Sequence, residues 1–108
     1  MPATCSPPGI DRVPPGSDAV KVFISVDMEG ISGLVRWADV ATRGIDYPRN
    51  RRLMTEDVNA AVEGALAGGA TEVVVEENHG VEDLCNLLMD EIHPDCRVVR
   101  GAGRPGAT

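Results

Sequence analysis

Aromatic side chains are almost missing from this chain, which carries one Trp, one Tyr and one Phe in 108 residues. Any core must therefore be aliphatic, built from Val, Ile, Leu, Met and Ala. Basic residues are also scarce: 10 Lys and Arg stand against 17 Asp and Glu, giving a formal charge of -7 and a pI near 4.6. Nucleic acid and anionic membrane surfaces both require a basic face, so neither is expected as a partner. No segment approaches the ~20 apolar residues of a membrane span, and no continuous apolar stretch of a secretory signal lies near Met1, so the chain reads as cytoplasmic. The three cysteines, Cys5, Cys85 and Cys96, form no C-x-x-C or zinc-ribbon spacing. Cys85 falls on an apolar face and reads as a core residue rather than a ligand or nucleophile.

What is present fits one small soluble domain, with 43% hydrophobic and 25% charged residues. Residues 1–19 hold Pro2, Pro7, Pro8, Pro14 and Pro15 among Gly and Ser, which excludes a regular helix or an interior strand. They read as a disordered leader, with the folded portion over 20–101 and a loose tail over 102–108.

The folded portion opens on Val22-Phe23-Ile24-Ser25-Val26-Asp27-Met28-Glu29-Gly30-Ile31-Ser32-Gly33. The β-branched and aromatic run over 22–26 predicts a buried strand. It stops at two carboxylates, two residues apart, which a turn can aim at one point. Acids brought that close repel unless a cation or a proton lies between them. Asp27 and Glu29 are thus either a metal site at the carboxyl end of a strand, with Gly30 and Gly33 allowing a tight turn, or two solvated loop acids.

Residues 34–49 predict a long irregular loop holding Trp37, Asp39, Asp46 and Tyr47-Pro48, with Trp37 either a lid or substrate contact or a cover for the core edge. Met54, Val58, Ala61, Val62, Ala65 and Leu66 recur at three and four, predicting a helix over 50–67 that ends at Gly68-Gly69. Residues 71–75 predict a second strand. Strand, helix, strand with short connections makes a right-handed βαβ unit with parallel strands, whose carboxyl ends open on one edge, where α/β folds bind ligands. That topology brings His79, in Glu76-Glu77-Asn78-His79-Gly80, to the rim of Asp27 and Glu29, a donor set suited to zinc or a similar divalent ion.

Val81, Leu84, Cys85, Leu88 and Ile92 predict a second amphipathic helix over 81–92, ended by His93-Pro94, with His93 placed to interact with the helix C-terminal dipole. Residues 96–100 predict a third strand. The fold class is α/β: a three-layer parallel sheet built β-α-β-α-β, half of a doubly wound fold. It stops where a fourth element would begin, so the chain reads as incomplete.

Residues 24–33 closely resemble the opening motif of the D-aminopeptidase family of zinc metallopeptidases, and the similarity continues through 52–59, 70–75 and Ile92-His93-Pro94. The resemblance implies that Asp27 and Glu29 bind a pair of zinc ions and that His79 is a further ligand. It implies hydrolysis of N-terminal residues, D-residues in the characterised branch, from short peptides, and assembly into ring-shaped homo-oligomers. Two departures stand out. The family commonly has Asn-Asp-Ser-His where this chain has Glu76-Glu77-Asn78-His79, and family members run much longer, with further ligands and a catalytic histidine beyond Thr108. The chain is therefore expected to be an inactive N-terminal portion of such an enzyme. Two alternatives remain: a haloacid dehalogenase-like phosphatase with Asp27 as nucleophile, and a non-catalytic acidic cation-binding module.

Overall fold

The computed structural model describes residues 19–80 and 82–103. The Pro-rich leader, apart from Ala19, and the tail, apart from Ala102 and Gly103, lie outside the described residues. Strand β1 (Lys21–Val26) pairs in parallel with β2 (Glu72–Glu77), Val26 opposite Glu77, and β2 pairs in parallel with β3 (Arg97–Val99), so the sheet order is β1-β2-β3. The α/β class and the parallel sheet expected from the sequence are those observed.

Between β1 and β2 run a short helix α1 (Trp37–Val40) and the long helix α2 (Tyr47–Ala67). Helix α2 starts three residues before the helix expected over 50–67 because Pro48 sits in its first turn, where a missing N–H costs nothing and the fixed φ already suits a helix. Its buried residues Met54, Val58 and Val62 pack on Val73 and Val75 of the central strand and on the inward side of β1. Alternation in β2 is strict: Val73, Val75 and Glu77 face inward and are at most 1% exposed, while Glu72, Val74 and Glu76 face the other way.

The second crossover departs from the expected helix over 81–92. Only a 3₁₀ turn, Glu82–Leu84, forms, and φ is +52° at Glu82 and +64° at Leu84, which no α-helix contains. The reason lies in α2. Its side chains at four-residue spacing take over the backbone groups that a helix would have paired internally. Arg51 Nε donates to the Asn86 carbonyl at 2.8 Å, and Thr55 Oγ accepts the Leu88 N–H at 3.0 Å. Asn59 donates to the Glu91 carbonyl and accepts the His93 N–H, both at 2.8 Å. From the sheet side, the buried Glu77 carboxylate accepts the N–H groups of Asn86 and Leu87. Fixed from both sides, the segment runs as an irregular strap that inserts Leu84 and Leu87, at 3% and 1% exposure, into the interior. Cys85 is half-buried rather than a core residue.

Consequently His93 does not cap a helix. Its Nδ1 accepts the Asp95 N–H at 3.0 Å, which leaves Nε2–H to donate to Glu63 of α2 at 2.8 Å. The third layer does not form among the described residues either: α2 covers one face of the sheet, while Phe23 and Val99 on the other are 59% and 40% exposed.

Candidate metal centre at the carboxyl ends of β1 and β2

After Val26 the chain turns at once into a 3₁₀ turn, Met28–Gly30, closed by the Gly30 N–H on the Asp27 carbonyl and the Ile31 N–H on the Met28 carbonyl. Met28 is fully buried and anchors this turn in the core, so its neighbours Asp27 and Glu29 are both turned outward, each about half exposed. Of the two glycines, Gly33 has φ +88° and needs its lack of a side chain; at Gly30 a Cβ would meet nothing within 4 Å. The turn is also tied to α2, where the Asp57 carboxylate accepts the Ser32 N–H at 2.9 Å.

His79 arrives from β2. The Asn78 N–H prolongs the β1–β2 ladder by bonding the Val26 carbonyl at 2.8 Å, and the Asn78 amide donates to Ser25 Oγ at 2.6 Å. The imidazole that follows is 4% exposed and lies on the same rim as the two acids, as the parallel topology requires. Its Nδ1 is 3.0 Å from Asp27 Oδ1 and 3.3 Å from Glu29 Oε1, and the three donor atoms lie within 4.8 Å of one another. Its Nε2 is 2.7 Å from the Val40 carbonyl at the end of α1. A carbonyl only accepts, so Nε2 carries the proton. In the neutral ring Nδ1 then presents its lone pair to two carboxylates.

Three electron-rich atoms therefore converge. The Glu29 carboxyl is held above its usual range, first by the hydrogen bond shared with the Asp27 carboxyl and then by burial, with His79 pulling the other way. Such an arrangement is met either by a proton or by a cation. A ring nitrogen facing acids while the other donates to a backbone carbonyl is the usual arrangement of a metal-ligating histidine. The donor set of two carboxylates and one imidazole fits a zinc-type ion. No other group of three metal-ligating side chains comes together among the described residues.

The α1 segment that supplies the Val40 carbonyl is itself fixed. The Asp39 carboxylate accepts the N–H groups of Val35 and Arg36 at 3.0 and 2.9 Å and pairs with the Arg36 guanidinium at 2.9 Å, which lowers its pKa to about 2. Asn50 of α2 donates to the Asp39 carbonyl at 2.8 Å. Trp37 does not cover the core edge: it is 81% exposed and, with Glu29, Leu34, Val35, Arg36 and Val40, lines a cleft of about 460 Å³.

The D-aminopeptidase family profile matches residues 20–107. This chain belongs to the D-aminopeptidase family. A D-aminopeptidase of Bacillus subtilis (strain 168) is 37% identical over 86 residues, which is 80% of this chain and 31% of the relative. Among solved structures, the Zn-dependent D-aminopeptidase DppA from Bacillus subtilis, a self-compartmentalizing protease, is similar with a TM-score of 0.73 at 37% identity, over 80% of this chain and 31% of that one. The chain thus spans less than a third of the length of these relatives.

In this member of the D-aminopeptidase family Glu76-Glu77-Asn78, the stretch expected from the sequence to depart from the family pattern, has definite work. Asn78 bridges to Ser25 of β1 and to Glu76 Oε1. Glu77 holds the strap, and Asn86 on that strap returns a hydrogen bond from its amide to the His79 carbonyl at 3.2 Å while accepting the Tyr47 hydroxyl. The histidine is thereby fixed through its backbone on one side and through Nε2 on the other. Sequence reasoning did not find Val40 or Asn86. A backbone carbonyl leaves no side-chain signal, and Asn86 lay in a segment whose apolar spacing imitated a helix.

Proposed function

We infer that Asp27, Glu29 and His79 hold a zinc ion, and that the chain is the metal-binding portion of an aminopeptidase-like hydrolase that releases N-terminal residues, D-residues among them, from short peptides. One observation carries this reading: with Nε2–H committed to the Val40 carbonyl, Nδ1 is the ring atom of His79 left to face both carboxylates. The Zn-dependence in the name of DppA supports the choice of metal. When bound, zinc supplies Lewis-acid polarisation of a carbonyl and lowers the pKa of water. The residues described here hold and orient: Asp27 and Glu29 bring charge, the buried imidazole brings direction, and the acidic rim attracts the amino end of a peptide.

Assembly into a homo-oligomer in the cytoplasm belongs to the same reading, in line with the self-compartmentalizing relative. The charge of -7 disfavours nucleic acid, and no helix of the described residues is long and apolar enough to cross a membrane. The phosphatase alternative gives His79 no role, and the non-catalytic cation-binding module, taken as one resembling a phospho-acceptor receiver, needs an acid after β3, where Arg100 instead donates to the Leu87 carbonyl.

Zinc titrated into the purified 108-residue polypeptide, followed by calorimetry, is expected to bind at one site and to lose that binding in Asp27→Ala and His79→Ala. Hydrolysis also asks for a proton donor to the leaving amine, a role the three ligating side chains do not fill, so no turnover of a D-alanyl anilide is expected. Unchanged zinc binding in His79→Ala would sink the assignment. Hydrolysis of a phosphate ester that depends on Asp27 would favour the phosphatase.

A further inference from the structure

The cleft beside the candidate metal centre shares two residues with it. Glu29 lines the cleft and is one of the three convergent donors; Val40 lines it too and, through its carbonyl, fixes His79. Leu34 and Val40 make a buried apolar floor at 7% and 6% exposure, while Val35 and Trp37 stand at 85% and 81%. An apolar pair left that open beside a polar centre is surface that a ligand's hydrocarbon would cover.

Charge narrows the choice of ligand. Arg36, the cationic lining residue, is 2.9 Å from the Asp39 carboxylate and 3.9 Å from that of Asp46, so its charge is already met by two acids. It offers little to a substrate carboxylate, and Glu29, the acid of the lining, is one of the three convergent donors and is taken up by the metal centre, which leaves the rest of the lining apolar. A volume of about 460 Å³ lies in the range of small-molecule clefts and leaves ample room for a branched or aromatic side chain.

We propose that this cleft is the subsite for a bulky, uncharged apolar side chain of the peptide whose amino end meets Asp27 and Glu29, an assignment that rests on the metal-centre reading above. Leu34, Val35 and Trp37 are then its specificity-determining residues, and the motif of paired acids and the adjoining loop form one continuous binding surface.

Trp37 is the only tryptophan of the chain, so its emission reports on this cleft alone. D- and L-leucylglycine, glycylglycine and lysylglycine are titrated into the 108-residue polypeptide, with zinc and after chelation. A saturable change in Trp37 emission with a leucyl peptide is expected, at least tenfold weaker with glycylglycine and lysylglycine. It should be lost in Val35→Asp, whose fold is checked by circular dichroism. Equal responses to leucyl and glycyl peptides, no saturable response in either metal state, or a response unaffected by Val35→Asp would overturn the proposal. An emission change that depends on protein concentration without peptide would also overturn it, by making a second copy of the chain the occupant. Because the chelated protein is titrated too, a failure of the cleft is distinguished from a failure to bind zinc.

Discussion

At the scale of single residues, His79 and Asp39 show how a local hydrogen bond sets chemistry. The Val40 carbonyl commits one ring nitrogen of His79 and thereby decides which atom is left to face Asp27 and Glu29. Asp39 holds the segment that supplies this carbonyl, and its pKa of about 2 lies below the ordinary 3.8, chiefly because of the Arg36 guanidinium and then the N–H groups of Arg36 and Val35. A carboxylate with a lowered pKa stabilises the fold fully above its unfolded value and loses that contribution as pH falls towards the folded one. Urea unfolding of the native protein and of Asp39→Asn should therefore differ near neutral pH and converge as pH falls from about 4 to about 2. A difference that persists at the acid end would show that the carboxylate charge is not what fixes α1.

At the scale of elements, the polar stripe of α2 decides the course of the chain between β2 and β3. Arg51, Thr55, Asn59 and Glu63 recur every four residues and reach the strap and His93. Thr55 is fully buried, and Thr55→Val keeps its volume while leaving the Leu88 N–H without its acceptor. A loss of about 1–3 kcal/mol is expected by denaturant unfolding, with faster amide exchange over 86–93. Helix α1 is placed by a second close contact: a Cβ on Gly44 would lie 1.9 Å from the Ala38 carbonyl oxygen. Gly44→Ala must push α1 away and with it the Val40 carbonyl, so zinc affinity should fall about tenfold or more, as when other outer partners of a ligating histidine are removed. Calorimetry on the variant checks this, and unchanged affinity would free His79 from dependence on α1.

At the scale of the whole molecule, the candidate centre joins the ends of β1 and β2 and the loop that carries α1. Zinc binding to the folded state alone should stabilise the molecule by about 2.7 kcal/mol at one hundred times Kd. For a domain of this size that corresponds to a rise in Tm on the order of 10–20 °C, reversed by a chelator and absent in His79→Ala. A melting temperature indifferent to zinc would mean that the three donors do not hold the metal in the folded state.

Local features carried much of this in the sequence itself. The β-branched runs ending in acids, the three-and-four spacing from Met54 to Leu66 and the short connections were enough for parallel strands whose carboxyl ends share a rim, because strand and helix periods are written in neighbouring residues. Asp27, Glu29 and His79 were legible as one group for the same reason. The strap was not, since its apolar spacing is that of a helix and only the approach of Glu77, Arg51, Thr55 and Asn59 gives its backbone other partners. Nor was the choice of Nδ1 as the atom facing the acids, because the carbonyl that makes it belongs to Val40, 39 residues away in the chain and brought to His79 by folding alone.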